Sequence, residues 1–350
     1  MVIAVRLLHT RYPQFGGHSG IAQLAQYLDR DRFRLTVDPV CDGDHDFPPC
    51  PSLLRRALRR AVRARMPWYK LSDLTAEWRA ASSCLRGENG IVHFLDGEHS
   101  AQFLPSRVLR RALPRVRIVA TYHQPEAILG RLVCPAVVRR IDHVTVVSPT
   151  QLPFFHRLLP EERVHLILHG VDSDFFRPAA EPLAKLGLRC LTVGHWLRDW
   201  DAIGAAARAF LDDPSVRFDL IGPAADGLHL LPNMHVRRGL SDAALAEVYR
   251  NADVLLLPLL DATANNALLE GLASGLPVVA YDIPSVRAYA PGAEAIRVPY
   301  RDVAGIVEAL VHLRDDPERR RHMGHCARRR GEALSWRSQS KYFARLYEAP

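Results

Sequence analysis

The sequence predicts an α/β protein built from two doubly wound, parallel-sheet domains in tandem. Three observations predict it. A length of 350 residues exceeds one ordinary core and suits two. Short apolar runs alternate with helical patterns, which is the rhythm of βαβ units and a parallel sheet. That rhythm lapses between Gly170 and Gly187, where Pro178 and Pro182 interrupt it, and then restarts.

In the first half the expected strands are Val2 to Leu8, Leu35 to Val40, Ile91 to Leu95, Arg117 to Tyr122 and Val144 to Val147, with a helix from Gly20 to Leu28 after the first. In the second half they are Cys190 to Val193, Phe218 to Ile221, Val236 to Gly239, Val254 to Leu257, Pro277 to Ala280 and Ala295 to Val298. These place an N-terminal domain at 1–170, a connector at 171–187, a C-terminal domain at 188–333 and a last helix, 334–350, returning to the N-terminal domain. With two such domains, the natural ligand site is the cleft between them, facing the strand ends.

Composition narrows the class. Apolar and charged fractions of 48% and 24% are those of a globular chain. The opening apolar run is broken by Arg6 and reads as a buried strand of a cytoplasmic protein rather than a leader. Six cysteines show no C-x-x-C pairing and read as free structural thiols. The net charge of +8 points to anionic partners. Arg55, Arg56, Arg59, Arg60, Arg63 and Arg65 alternate with Leu54, Leu58, Ala61 and Val62, a basic amphipathic helix that suits either an anionic membrane surface or a solvated face packed on the core. No aromatic-basic platform accompanies the charge, so nucleic acid is not an expected partner.

The residues that could carry chemistry follow strands. Gln14 to Ile21 is a glycine-rich turn containing Gly16 and Gly17; it suits close approach to a ligand and equally an ordinary strand-to-helix turn. His123 follows the strand ending at Tyr122, where it can orient a hydroxyl or serve a structural hydrogen bond. Gly194, His195 and Arg198 follow the first strand of the second half; a cation there can neutralise a diphosphate without a metal, and by itself the arginine reads equally as an ordinary surface residue. The stretch Asp261 to Ala280 runs polar turn, helix and strand after the strand Asp253 to Pro258; Asn265 and Asn266 predict the helix start, whose free N–H groups favour a phosphate, with Glu270 just beyond, although in isolation the segment reads as an ordinary strand-helix-strand unit with Glu270 a solvated helix residue. Asp172-Ser173-Asp174 matches a metal-binding D-x-D tripeptide but sits in the connector and reads as a turn, so no metal site is expected.

Taken in order, G-G-H-S-G-I, T-Y-H-Q-P-E, V-V-S-P-T, H-G-V-D-S-D-F-F-R-P, V-G-H-W-L-R-D-W, G-L-S-D-A-A-L-A-E-V-Y-R-N-A-D-V and N-A-L-L-E-G-L-A-S-G-L-P-V-V-A resemble the group 1 (family 4) nucleotide-sugar glycosyltransferases of the GT-B fold. The resemblance spans nearly the whole chain and is strongest in the second half. It implies two Rossmann-like domains, the second binding a nucleotide-sugar donor and the first an acceptor hydroxyl. It further implies a retaining, metal-independent transfer with no cofactor. By matching position Glu270 would hold the ribose hydroxyls, and N–H groups around Asn265, Asn266 and Ala267 the diphosphate. Arg198 stands for the family's phosphate-binding Lys, His123 for its His near the transferred sugar and Gly17 for its phosphate-facing glycine. Gly239 and Leu240 would lie beside the base. The turn from Asp261 through Thr263 would face the sugar, where the family's first Glu of E-x7-E is Ala262 and Asp261 is the nearest substitute. The family's Arg after the strand glycine is His195. These two departures leave open a catalytically impaired nucleotide- or glycan-binding partner subunit, and a sugar-nucleotide epimerase is a third reading without motif support. The basic helix, if it meets an anionic membrane, implies a lipid-linked acceptor.

Overall fold

The structure, a computed structural model, describes residues 2–12, 16–180, 187–222 and 229–349. Gln14, Phe15 and the expected connector residues 181–186, Pro182 among them, lie outside the described residues. The chain forms two compact units. Met1–Phe15, Gly20–His169 and Gln339–Pro350 make the first; Gly16–Ser19 and Gly170–Ser338 make the second.

The first unit carries β1 (Ile3–Arg11), β2 (Phe33–Cys41), β3 (Ile91–Phe94), β4 (Arg117–Tyr122), β5 (His143–Val146) and β6 (Val164–Leu166), in the order β2-β1-β3-β4-β5-β6. Every pairing is parallel. The three-residue β6 is not among the expected strands, being too short for a period to register. Val5, Leu7 and Leu8 of β1, Val92 and Phe94 of β3, and Val144 and Val146 of β5 are buried, as continuous apolar strands covered on both faces must be. The expected helix Gly20 to Leu28 is a correction: a 3-10 turn at Ile21–Gln23 leads into a single helical turn, Leu24–Tyr27, and Leu28 is already extended. Gly20, at φ 84°, offers no side-chain cap to start a longer helix.

In this unit the C-terminal helix Trp336–Glu348 packs its last turns on the sheet. Tyr347 is fully buried, with its hydroxyl 2.6 Å from His93 Nδ1, while His93 Nε2 lies 2.8 Å from Thr121 Oγ1. Burial lowers the His93 pKa to about 3, so its ring is neutral at neutral pH.

The second unit carries β7 (Leu188–Val193), β8 (Val216–Ile221), β9 (Met234–Arg237), β10 (Val254–Leu257), β11 (Val278–Tyr281) and β12 (Ala295–Val298), in the order β12-β11-β10-β7-β8-β9 and again all parallel. Leu255 of β10 sits opposite Leu191 on one side and Val278 on the other, and all four residues of β10 are fully buried. Residues 171–180 of the expected connector are built into this unit: Val171 N–H donates to Leu334 O, Trp336 N–H donates to Val171 O, and Phe176 is buried. Each sheet changes direction once, between β1 and β3 in the first unit and between β7 and β10 in the second. In doubly wound sheets a crevice opens at that point beyond the carboxyl ends of the strands.

Candidate active site

Two segments meet at the β7/β10 switch point of the second unit. Gly194 to Asp199 follows β7, and Pro258 to Asn265 follows β10. They are laced together, since Asp199 N–H donates to Pro258 O and Leu260 N–H to Leu197 O, both at 2.9 Å. Asn265 caps the helix Asn266–Ala273, its side-chain oxygen accepting from Leu268 N–H at 3.1 Å, as the asparagine pair predicts.

Arg198 lies beneath this helix start. It is 8% exposed, and its guanidinium is gripped by backbone: Nη2 and Nε donate to Val193 O at 2.6 and 3.2 Å, Nη1 donates to Trp196 O at 2.6 Å, and Nη2 reaches Asn265 Oδ1 at 3.4 Å. Burial lowers its pKa to about 10, which leaves it charged at neutral pH. Gly194 makes the position possible. Its φ is 82°, and a Cβ there would stand 2.9 Å from Arg198 Nη2. The carbonyl grip is not readable from sequence; it fixes a cation at the switch point rather than leaving it on a mobile side chain.

Glu270 sits one turn into the capped helix and is 4% exposed. Tyr249 OH donates to Oε2 at 2.8 Å and Ser19 Oγ donates to Oε1 at 2.6 Å. Burial raises its pKa to about 7, against the opposing pull of those two hydroxyls. Ser19 belongs to the Gly16–Ser19 segment of the second unit, which the sequence connects to a glycine turn only. The adjacent His18 stacks on Phe175 with ring centroids 3.6 Å apart, and its Nδ1 is 2.7 Å from Asp172 Oδ2. Gly16 lies so close to Asp242 that a Cβ would fall 1.6 Å from Oδ1, while Gly17 is exposed. Asp172, from the D-x-D tripeptide, also accepts from Phe175 N–H, forming the turn expected there. Among the described residues no group of three or more His, Cys, Asp or Glu is placed to hold a metal ion.

The remaining expected residues of this unit lie on the same edge. His195 is exposed, Thr263 is buried, and Asn266 and Ala267 form the first turn of the capped helix. Gly239, at φ 63°, and Leu240 follow β9 and precede the helix Asp242–Asn251. Asp261 is exposed and bonds Ala262 N–H with its own side chain, whereas Ala262 is buried.

In the first unit the carboxyl edge holds His123 just past β4. Its Nε2 lies 2.7 Å from Leu95 O, and its N–H donates to Glu98 Oε1 at 3.1 Å. Around it stand residues that sequence reasoning passed over. Asp96 accepts from Thr10 N–H; Glu98 is buried with its pKa raised to about 7; His99 is held neutral by burial, its pKa lowered to about 3, with Lys70 Nζ 3.2 Å from its Nδ1. Lys70 is also paired with Asp42, and Trp68 lies with its ring 4.9 Å from that of His99. The D-G-E-H run directly after the β3 segment is the signal that could have found them.

The family described as "Glycosyl transferases group 1" matches residues 187–316, and "Glycosyltransferase Family 4" matches residues 16–175. The chain belongs to the group 1 glycosyltransferases of the GT-B fold. Among curated group 1 glycosyltransferases it is 29% identical to a D-inositol 3-phosphate glycosyltransferase of Thermobispora bispora, over 86% of this chain and 82% of that one. It is 27% identical to an MMP alpha-(1→4)-mannosyltransferase of Mycolicibacterium hassiacum, over 53% and 48%. For several of these relatives, this second one included, the chain spans about half of their length. Among solved structures, a sucrose-phosphate synthase of Thermosynechococcus elongatus superposes with a TM-score of 0.71 over 99% of this chain and 98% of the other at 17% identity, a likeness of fold.

Proposed function

We propose that this glycosyltransferase moves a hexose-type sugar from a nucleotide-diphosphate sugar to a hydroxyl of its acceptor, with retention at the anomeric carbon and without a metal ion. The observation that carries the reading is Arg198, a charged guanidinium buried at the β7/β10 switch point beside an Asn265-capped helix start. Fixed positive charge and free helix N–H groups in a site of low polarisability stabilise the charge that develops on a departing diphosphate.

The donor diphosphate lies on the N–H groups of Asn266 and Ala267 with Arg198 behind them. The ribose hydroxyls reach Glu270 by replacing the Ser19 hydroxyl on Oε1. Gly239 and Leu240 border the base, and Asp261 and Thr263 border the sugar. The bond from the anomeric carbon to the β-phosphate oxygen breaks as the acceptor oxygen bonds to the same face of that carbon. The acceptor proton passes to a phosphate oxygen of the leaving nucleoside diphosphate. The first unit supplies the acceptor residues, His123 among them. A polyol phosphate is the first acceptor to try, given the name of the D-inositol 3-phosphate glycosyltransferase.

A thermal-shift and calorimetric comparison of UDP-, GDP- and ADP-sugars tests the donor, followed by product analysis with candidate acceptors. Stabilisation by one nucleotide series and turnover to a retained glycoside support the reading; no response to any nucleotide sugar sinks it. Ala262 and His195 favour a second reading, a binding-only partner subunit, which reproducible turnover eliminates. The helix Ser52–Arg63 is also suited to an anionic membrane, because Leu53 and Leu54 are 76% and 50% exposed next to Arg56. Sedimentation with anionic vesicles that survives neutralisation of Arg55, Arg56, Arg59 and Arg60 removes that contact.

A further inference from the structure

At the amino ends of β4, β5 and β6, on the sheet edge opposite His123, the first unit has an open depression of about 420 Å³ lined by Arg107, Arg110, Arg111, Arg140, Asp142 and Arg163. That volume is within the ~300–1,000 Å³ usual for small-molecule sites. Five guanidinium groups face one carboxylate. Asp142 is committed, with Oδ1 accepting from Arg110 Nη2 at 2.7 Å and Oδ2 from Ile118 N–H at 2.7 Å. Arg110 is further fixed by Val116 O, and Arg163 by the carbonyls of Ile141 and Asp142, which orient those two cations without adding a neutralising charge. Among the described residues, the side chains of Arg107, Arg111 and Arg140 have no hydrogen-bond or ion-pair partner. Glu161 and Glu162 precede Arg163 but are exposed and do not line the depression.

Holding five like charges together is unfavourable in the absence of counter-charge, and arginine's planar fork matches phosphate oxygens bidentately. We propose that this depression is a second anion site, separate from the donor edge, that binds a phosphoryl group carrying at least two negative charges. Arg110 and Arg163 form its fixed floor, and Arg107, Arg111 and Arg140 close on the ligand. The phosphoryl group belongs either to a free phosphate compound or to a lipid headgroup. Val108, 75% exposed and three residues before Arg111 on the same helix, gives the rim an apolar contact for the latter.

The test compares the full chain with Arg111→Gln/Arg140→Gln, using calorimetric titration with inorganic pyrophosphate and sedimentation with phosphatidylcholine vesicles with and without phosphatidic acid. The proposed donor site is present in both proteins, so the reading is the difference between them. The expected result is a pyrophosphate-binding event weakened about tenfold or more in the double variant. Parallel loss of sedimentation with phosphatidic acid vesicles assigns the site to a headgroup; loss of pyrophosphate binding alone assigns it to a free phosphate compound. Superimposable titrations together with unchanged vesicle recovery overturn the proposal. An unaltered unfolding midpoint shows that the double variant is folded, and Arg107→Gln repeats the measurement if it is not.

Discussion

Glu270 is a carboxyl group enclosed by a tyrosine and a serine hydroxyl, and its pKa of about 7 against an ordinary 4.5 makes its protonation part of the folding equilibrium. The neutral acid is favoured in the folded chain. Its contribution to stability is therefore greatest below pH 4.5, falls as pH rises to about 7 and is level above that. Relative to Glu270→Gln, the parent chain is expected to lose up to about 3 kcal/mol over that interval. Urea unfolding at its two ends reads this, and a pH-independent difference would mean that Glu270 ionises as it does in water. Gly194 gives a second test at the same scale. Gly194→Ala forces a β-carbon into a left-handed backbone and against Arg198 Nη2, and a loss of roughly 1–2 kcal/mol is expected from the backbone alone. A neutral effect by thermal unfolding would show that the loop after β7 relaxes freely.

At the scale of the element, the helix Asn266–Ala273 combines a structural cap with the proposed diphosphate contact, and two substitutions separate them. Asn265→Ala removes the acceptor for Leu268 N–H and is expected to cost about 0.5–2 kcal/mol of stability. Asn265→Asp keeps the cap but places a carboxylate beside the diphosphate, so stability should hold while donor affinity falls about tenfold or more. Equal donor affinity in Asn265→Asp and the parent, by calorimetry, would displace the diphosphate from this helix. The helix and the strands around it were legible from sequence because local signals agree: an asparagine start, a buried apolar strand before it and another after it. The helix after β1 was not, because Gly20 to Leu28 carries helical spacing without a cap.

Over the whole molecule, buried histidines and buried glutamates oppose each other in mildly acid solution. His93 and His99, with pKa values lowered to about 3, make the fold less stable as pH falls below their ordinary 6.5; Glu77, Glu98 and Glu270, raised to about 7, make it more stable as pH falls toward 4.5. Below 4.5 the glutamates contribute no further change and the histidines continue to titrate. With three glutamates against two histidines, unfolding free energy is therefore expected to rise modestly as pH falls from 6.5 to 4.5 and to drop steeply in stronger acid. A monotonic fall beginning at 6.5 would show that the buried glutamates ionise normally. A nucleotide sugar that binds only the folded chain should add about 2.7 kcal/mol when present at about a hundredfold over its Kd.

The sequence by itself determined two parallel α/β units, the capped helix that carries Glu270 and the family, because each is written in local periodicity or in residues close together along the chain. Only the tertiary structure decided how the side chains are engaged. Arg198 reads as a free loop cation but is held by the carbonyls of Val193 and Trp196. Ser19 and Tyr249 close on Glu270 from 251 and 21 residues away. The arginine depression gathers residues from 107 to 163, a convergence that no local pattern along the chain announces. Hydrogen bonds, burial and shared charge depend on distances in space, which the winding of the two sheets sets and the order of residues leaves implicit.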